Sequence, residues 1–280
     1  MRRFALAAVL LVCAVASASS ASAATTSVRH TRMTVRSVTD ATPGTAVSSN
    51  WAGFIVEGRS FSKLSGSWVQ PTATCDAATT TYSAFWVGLG GANDSSQALE
   101  QIGSSADCAA DGTPSYYLWY ELVPAGPRNL RLTVEPGDVL SASVKVVGRK
   151  VTLHIANTTR GTSFTKLLKM RAPDRSSAEW IAEAPSDCSA EGVCDTLPLT
   201  NFGTVAFTNA LATAKDHSGT ISDTAWTASQ VELRSDGGLL PRGRFDPKAP
   251  SGSALPSDLS PDGSAFSVAW QAPAATTTQP

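Results

Sequence analysis

Short stretches in which apolar and polar residues alternate recur from residue 50 to residue 270, and β-branched and aromatic side chains dominate them. Such stretches predict half-buried strands, and the Gly, Pro, Asp and Ser residues between them predict turns. The predicted strands are 67–69, 83–88, 116–123, 130–134, 139–147, 150–155, 163–170, 179–182, 204–207, 230–233 and 266–270. No long segment has a helical period. Many short strands without helices indicate an all-β fold, an antiparallel sandwich rather than a parallel α/β sheet.

The strand pattern predicts one domain at residues 50–271. Gly148 and Arg149 separate two predicted strands and indicate a hairpin. Residues 237–263 are rich in Gly, Pro and Ser and predict a long loop before the last strand, and residues 272–280 predict a disordered tail.

The N-terminus has the pattern of a secretory signal peptide. Arg2 and Arg3 precede the apolar run 4–16 and a small-residue stretch that ends at residue 23, so residues 1–23 are the expected signal. The run is too short to span a bilayer, and no later stretch approaches the roughly 20 apolar residues of a membrane helix. Residues 24–49 are polar, basic and without hydrophobic period, which predicts either a pro-segment or a disordered arm. We therefore expect a secreted protein that is not held in a membrane.

The charge balance argues against nucleic acid as a partner. The chain has 22 Lys and Arg against 23 Asp and Glu, and only 16% of its residues are charged. Residues 1–49 carry five basic and one acidic side chain, which leaves 17 basic and 22 acidic from residue 50 onward, a net charge of about −5. A basic pro-segment could therefore be held by an acidic domain at neutral pH and released in acid.

The cysteines agree with export. Beyond the signal, the chain keeps Cys75, Cys108, Cys188 and Cys194, which permit three disulfide connectivities. Cys188 and Cys194 are six residues apart with Gly192 between them, which favours a local disulfide and leaves Cys75 to pair with Cys108. A zinc site is the alternative, but the Cys-x-x-Cys pairs and His partners of such sites are missing.

Several familiar chemistries lack their signatures. The sequence has no Gly-x-Ser-x-Gly elbow, no His-Glu-x-x-His helix and no glycine-rich phosphate loop. Beyond residue 49 the histidines are His154, inside a predicted strand, and His217, in a polar turn, and neither is expected to be catalytic. Carboxylates and amides remain, because the strand period of two puts three sets of side chains on common faces: Glu179, Ile181 and Glu183; Tyr117, Trp119 and Glu121; Gln97, Leu99 and Gln101.

Six short blocks together resemble a known family. In order they are Asn50-Trp51-Ala52-Gly53, Gly66-Ser67-Trp68-Val69-Gln70-Pro71, Ala84-Phe85-Trp86-Val87-Gly88-Leu89-Gly90-Gly91, Leu99-Glu100-Gln101-Ile102-Gly103, Trp119-Tyr120-Glu121 and Ala178-Glu179-Trp180-Ile181-Ala182-Glu183. They resemble the glutamic peptidases, or eqolisins, over nearly all of residues 50–270. The resemblance implies a secreted endopeptidase active in acid, built as a concanavalin-like sandwich of two antiparallel sheets, which cleaves polypeptides and is insensitive to pepstatin.

The resemblance also implies roles for individual residues. Glu183 is similar to the catalytic Glu and Gln101 to the catalytic Gln, while Trp51 and Glu121 match positions that line the site. We expect Trp86 and Trp119 among the tryptophans that line the groove. Cys188 resembles the start of the family's small disulfide loop. No metal and no cofactor are required, because Glu can act as base and then acid while Gln stabilises the oxyanion; a monomer is expected.

This chain departs from the family pattern at two places. Gly90 and the pair Ser104-Ser105 stand where the family often has acids, so we expect less mutual raising of carboxyl pKa values and a less extreme acid optimum. The alternative function is a carbohydrate-binding or glycan-hydrolysing β-sandwich, because aromatic residues on a concave sheet and paired carboxylates also suit sugars.

Overall fold

A computed structural model describes residues 27–35, 44–93, 95–189, 193–234, 239–240, 244–245 and 252–273. Regular structure in these residues consists of β-strands. The strands are β1 Ser27–Arg29, β2 Thr45–Ser48, β3 Trp51–Glu57, β4 Phe61–Val69, β5 Ala84–Leu89, β6 Leu99–Cys108, β7 Pro114–Val123, β8 Arg128–Asn129, β9 Val139–Val147, β10 Lys150–Asn157, β11 Thr162–Lys169, β12 Ser177–Glu183, β13 Ser186–Cys188, β14 Cys194–Thr196, β15 Thr204–Ala214, β16 His217–Gly219, β17 Thr227–Leu233, β18 Leu239–Leu240, β19 Arg244–Phe245, β20 Ser253–Pro256 and β21 Phe266–Gln271. A search of these residues finds no helix that could cross a membrane.

The strands form a two-layered sandwich. The first layer has the hydrogen-bonded order β11-β10-β9-β4-β15-β21, and the second has the order β17-β3-β12-β5-β6-β7-β8. Strand β20 pairs with both β21 and β17 and so joins the layers at one edge. Strands β5, β6 and β12 pack over β4, β9 and β15. Neighbours run antiparallel, apart from β2, which pairs in parallel with β17. The predicted all-β antiparallel sandwich is confirmed.

Most of the predicted strands are present, and several are longer than predicted. Residues 67–69 are the end of β4, and residues 204–207 are the start of β15. The predicted hairpin is β9–β10, in which Val147 lies opposite Lys150. Strand β2 adds residues 45–48 to the second layer, so the sandwich begins before residue 50.

Two predictions at the level of elements were wrong. Residues 130–134 form no strand: Leu130, Leu132 and Val134 alternate because they pack on the core, while the backbone there has no ladder partner strand. The described residues of the expected loop 237–263 include the two-residue strands β18 and β19 and the strand β20. Strand β20 was missed because its four residues carry little apolar pattern and obtain their order from pairing with β21. Residues 237–238, 241–243 and 246–251 lie outside the described residues.

Strand β3 lies between β12 and β17 and depends on a glycine. Gly53 has φ +144°, and a Cβ there would lie 2.1 Å from the backbone oxygen of Trp180 in β12. A residue without a side chain therefore lets β3 and β12 approach closely.

Alternation along the second layer separates two apolar clusters. Trp180 points into the core between the layers, where its Nε1 donates to the Ser65 carbonyl at 2.8 Å. A second cluster lies on the opposite face of this layer and includes Trp51, Ile55, Trp86, Leu99, Trp119, Ile181 and Val231. The layer is thus apolar on both faces, and the face turned away from the core needs its own cover.

Two disulfides join loops to this framework. Cys75 pairs with Cys108 at the end of β6, and Cys188 pairs with Cys194, which closes the β13–β14 hairpin. This is the connectivity that the spacing favoured.

Candidate active site

The predicted catalytic side chains lie on the second layer, on the face turned away from the core. Glu183 ends β12, Gln101 lies in β6, and Glu121 lies opposite Gln101 on β7. Strand β5 runs between β12 and β6 and brings Trp86 to the same face. Exposure is 0% for Glu183 and Gln101 and 1% for Glu121. Trp51 of β3 lies opposite Glu183, and we call this surface of β3, β12, β5, β6 and β7 the site face.

Glu183 is a buried carboxyl group with two donors. The Trp86 Nε1–H donates to Oε2 at 2.8 Å, and the backbone N–H of Thr31 donates to Oε1 at 2.9 Å. Burial raises the pKa of Glu183 well above its ordinary value, these donors lower it in part, and the charge of Glu121 raises it further. The group therefore holds a proton more firmly than an exposed Glu does.

Gln101 and Glu121 contact one backbone residue together. Gln101 Nε2 donates to the carbonyl oxygen of His30 at 3.0 Å, and Glu121 Oε2 accepts the N–H of His30 at 2.9 Å. Gln101 Oε1 has no hydrogen-bond partner among the described residues. Burial raises the pKa of Glu121 to about 8.

An N-terminal segment of the same chain lies across the site face. Strand β1 pairs antiparallel with β13 of the disulfide hairpin, and His30 and Thr31 follow it. The His30 ring stacks on Trp119, with centroids 3.5 Å apart and planes 7° apart. Trp51 Nε1 donates to the Thr31 carbonyl at 3.0 Å. We call residues 27–35 the cleft segment.

Past Thr31 the cleft segment is held through its backbone. Asn50 Nδ2 donates to the Arg32 carbonyl at 2.9 Å, and Asn50 Oδ1 accepts the Thr34 N–H at 2.8 Å. The Met33 N–H donates to the Gly91 carbonyl at 3.0 Å. Bonds of this kind recognise an extended chain whatever its side chains are.

The structure brings the predicted site residues together. Glu183, Gln101, Glu121 and the indoles of Trp51, Trp86 and Trp119 all share the site face, and Trp51 meets Trp86 edge to face at 4.9 Å. Gln97 does not join them: it precedes β6 and is exposed. The catalytic and binding roles of these residues stay predictions at this point.

The cleft segment is the part of the site that the sequence did not predict. The sequence pattern predicted an arm or a pro-segment for residues 24–49, and no feature of that pattern indicated that His30 lies near Glu183. The local signal was the run Ser27-Val28-Arg29-His30-Thr31, whose β-branched residues favour an extended chain. That signal is too short to indicate where an extended chain would dock.

Further carboxyl groups are buried near the site face. Glu179, on the same face of β12 as Glu183, is fully buried, and burial raises its pKa well above the ordinary value. Burial raises the pKa of Glu100 to about 9. Asp174 lies against Gly90, where a Cβ would come within 2.4 Å of the Asp174 Cβ. An acid is thus present beside Gly90 after all, supplied by the loop before β12.

Metal ligands are not grouped in the described part of the chain, where no three His, Cys, Asp or Glu side chains are placed to hold an ion. The functional groups that the site face presents are carboxyl, amide and indole groups.

Comparison with known proteins gives the family. The peptidase A4 family matches residues 49–240. The chain is 25% identical to aspergillopepsin-2 of Aspergillus niger over 224 residues, which cover 72% of this chain and 76% of that protein. It is 29% identical to scytalidopepsin B of Scytalidium lignicola over 185 residues, 63% and 68% of the two chains. A crystal structure of scytalido-glutamic peptidase with a peptide-based transition state analog superposes with a TM-score of 0.62 at 25% identity, covering 80% of this chain and 98% of that one. The chain belongs to the peptidase A4 family and is a glutamic endopeptidase, whose substrates are polypeptides.

Proposed function

We propose that Glu183 and Gln101 are the catalytic pair of this endopeptidase and that it works in acid. One observation carries the proposal: a single peptide group contacts both side chains. The carbonyl of His30 accepts a hydrogen bond from Gln101, and the next N–H, that of Thr31, donates to Glu183. A substrate on the same path would have its carbonyl carbon between an amide donor and a carboxyl group.

Glu183 supplies the proton transfers. Its carboxylate takes a proton from a water molecule as the water attacks the carbonyl carbon, and the resulting carboxylic acid gives the proton to the departing nitrogen. The position of that nitrogen corresponds to Thr31 N, 2.9 Å from Oε1. Burial raises the pKa of Glu183, which suits the second step, because the carboxyl group must keep the proton until the C–N bond breaks. The first step is carried out by the ionised form of Glu183, whose share increases as pH rises.

Gln101 stabilises the charge that develops on the carbonyl oxygen. Its NH2 group donates to the position that the oxyanion occupies, and its Oε1, which has no partner in the described part of the chain, can accept a hydrogen bond from the attacking water. The removal of one such donor typically lowers the rate by about 10² to 10³. Trp51, Trp86, Trp119 and Glu121 hold the substrate around this pair.

The test is hydrolysis of an acid-unfolded protein from pH 3 to pH 7. Glu183→Gln should reduce kcat/KM to background, and Gln101→Ala should reduce it by about 10² to 10³. Pepstatin and a chelator should leave the wild-type rate unchanged. Exposed Glu135 and Gln97 provide the matched controls Glu135→Gln and Gln97→Ala, which should retain full activity. Inhibition by the chelator, or wild-type rates in both dyad variants, would contradict the proposal.

We also propose that residues 1–23 are a signal peptide, that residues 24–49 contain the pro-segment, which ends before β2 because β2 belongs to the sandwich, and that the enzyme is secreted. Residues 1–26 and 36–43 lie outside the described residues, so the signal peptide and the bounds of the pro-segment are proposed from the sequence pattern. The mass of the exported protein tests it: loss of 23 residues on export, followed by a further N-terminal loss in acid, is the expected result.

A further inference from the structure

We propose that the His30–Thr31 peptide bond is the bond this enzyme cleaves in its own chain, and that Trp119 forms the pocket for the side chain that precedes the cleaved bond. The pocket is expected to prefer a flat, uncharged ring. The proposal rests on the roles given above to Glu183 and Gln101, and it adds the position of the substrate chain and its preference at one pocket.

The position of the bond follows from contacts on both of its sides. Before it, β1 adds a strand to β13, with Arg29 opposite Ser186, and the His30 N–H reaches Glu121. At the bond itself, the His30 carbonyl accepts a hydrogen bond from Gln101, and the Thr31 N–H donates to Glu183. After it, the Thr31 carbonyl accepts from Trp51. Neighbouring peptide groups of the cleft segment are held by other partners, so this is the peptide group that both members of the proposed pair contact.

The preference follows from how His30 is packed. Its ring is 2% exposed and lies flat on Trp119, and its Nδ1 is 3.6 Å from Glu183 Oε2, too far for a hydrogen bond. Burial lowers the pKa of His30 to about 3, so the ring is neutral in the pocket. A Phe or Tyr ring can stack in the same way. A Lys side chain would bring a charge into a buried pocket and bind much more weakly.

Cleavage here is a hydrolysis within one chain. The oxygen of water bonds to the His30 carbonyl carbon, the C–N bond breaks, His30 gains a carboxylate, and Thr31 becomes a new amino terminus. Because the cleft segment belongs to the same chain as the site, the rate should be first order and independent of enzyme concentration.

The first experiment follows the proenzyme, residues 24–280, after transfer from neutral pH to pH 4. Intact mass and N-terminal sequencing should show Thr31 as the first new terminus in the wild type, at a rate that is unchanged over a tenfold range of concentration. Glu183→Gln should stay uncut. A rate that rises with concentration would overturn cleavage within the chain.

The second experiment tests the pocket. His30→Phe should be cut at the wild-type rate or faster, and His30→Lys at least tenfold more slowly. His154 on β10 in the first layer offers the matched control, because His154→Lys changes the same residue type away from the site face and should be processed normally. Added nonapeptides Ser-Val-Arg-X-Thr-Arg-Met-Thr-Val, with X as His, Phe or Lys, should show the same order in kcat/KM. In Trp119→Ala this order should disappear mainly through a rise in KM for His and Phe.

The outcomes separate this inference from the proposed function. An enzyme that digests an unfolded protein but leaves the His30–Thr31 bond intact, in the proenzyme and in the nonapeptide, overturns the inference and leaves the catalytic pair standing. A folded enzyme that digests neither substrate contradicts the proposed function itself. Equal cleavage rates for chains with Phe and with Lys before the cleaved bond would overturn the proposed preference of the Trp119 pocket.

Discussion

Among single residues, Trp86 has a large influence on how firmly Glu183 holds its proton. Its indole N–H donates to Oε2 of Glu183 at 2.8 Å, and this bond lowers a pKa that burial has raised. The indole is itself fully buried, so no water can replace the donor without rearrangement. Trp86 is thus a positioning residue for the proposed base as well as part of the groove.

Trp86→Phe should move the acidic limb of the kcat/KM profile to higher pH by about one unit, because one hydrogen bond to a carboxylate is worth about one pKa unit. The value of kcat should fall several-fold while KM changes little. The control is Trp226→Phe, which removes an indole that donates to the Thr220 and Ile221 carbonyls away from the site face. That variant should lose stability but keep the wild-type profile; a Trp86→Phe profile identical to it would refute the role of Trp86.

At this scale the sequence predicted which side chains share a face better than it predicted their surroundings. The period of two placed Glu179, Ile181 and Glu183 on one face of β12, which the structure confirms. It also grouped Gln97, Leu99 and Gln101, of which Leu99 and Gln101 lie in β6 while Gln97 precedes the strand and is exposed. The acidic groups around the site could not be predicted. Gly90 suggested a site with few carboxyl groups, whereas Asp174, from a distant part of the chain, lies against Gly90. Which distant residues surround a carboxyl group depends on tertiary packing, which a local pattern does not contain.

Among the strands and hairpins, β13–β14 is a platform for the chain that precedes the cleaved bond. It pairs with β1 through Ser27, Val28 and Arg29, and the Cys188–Cys194 disulfide closes it. A substrate should pair with β13 in the same way, so that main-chain bonds give affinity there.

Cys188→Ser with Cys194→Ser should therefore raise KM for peptides that extend three residues before the cleaved bond. It should have little effect on shorter ones, and the expected loss of stability is about 2 kcal/mol. Peptides of graded length measure this in the mature enzyme. The matched control is Cys75→Ser with Cys108→Ser, which should lower Tm without the length-dependent change in KM. An unchanged KM for long peptides in the first variant would argue against the platform.

The pairing of β3 with β12 depends on Gly53. Gly53→Ala should cost about 3 kcal/mol or more in unfolding free energy, since the Cβ would overlap the Trp180 carbonyl at a strained φ. Gly58→Ala separates the two causes: Gly58 has φ +89° and open space around it, so it should cost about 1 kcal/mol. Chemical denaturation measures both, and equal losses would show that the overlap is relieved without cost.

The fold class could be predicted because each strand carries its own alternating pattern. The errors arose where order comes from partners: β20 is a strand because β21 pairs with it, and residues 130–134 alternate without pairing. The cleft segment is the largest error of this kind. Its nine residues were predicted to belong to a polar arm or pro-segment, and their order comes from contacts with the site face.

In the whole molecule, buried carboxyl groups tie stability to acid. The folded-state pKa is raised to about 9 in Glu100, about 8 in Glu121 and about 6 in Asp107, and it is raised in Glu179 and Glu183 as well. Below about pH 4.5 both folded and unfolded chains hold these protons. Above it the unfolded chain releases them first, so unfolding becomes easier as pH rises through the window up to about 9.

Thermal unfolding should therefore show the highest Tm near pH 4 to 5 and a fall of about 10 °C or more by pH 8. Two groups act in the opposite direction. Burial lowers the pKa of His30 from 6.5 to about 3, so its contribution to stability is lost as pH falls from about 6.5 to about 3. Ser260 and Ser264 lower the pKa of Asp262 from 3.8 to about 2, so its contribution is lost between those values. Differential scanning calorimetry of Glu183→Gln from pH 3 to pH 8 measures this without self-digestion; a Tm that rises toward pH 8 would contradict it.

Three indoles lie on the site face. The cleft segment contacts Trp51 through the Thr31 carbonyl and Trp119 through the His30 ring, and it shares with Trp86 the carboxyl group of Glu183. Departure of the segment should transfer these rings from an apolar to an aqueous setting. The intrinsic fluorescence of the protein should then shift to longer wavelength as maturation proceeds, and the unlabelled enzyme would report its own activation in real time, before any substrate is added.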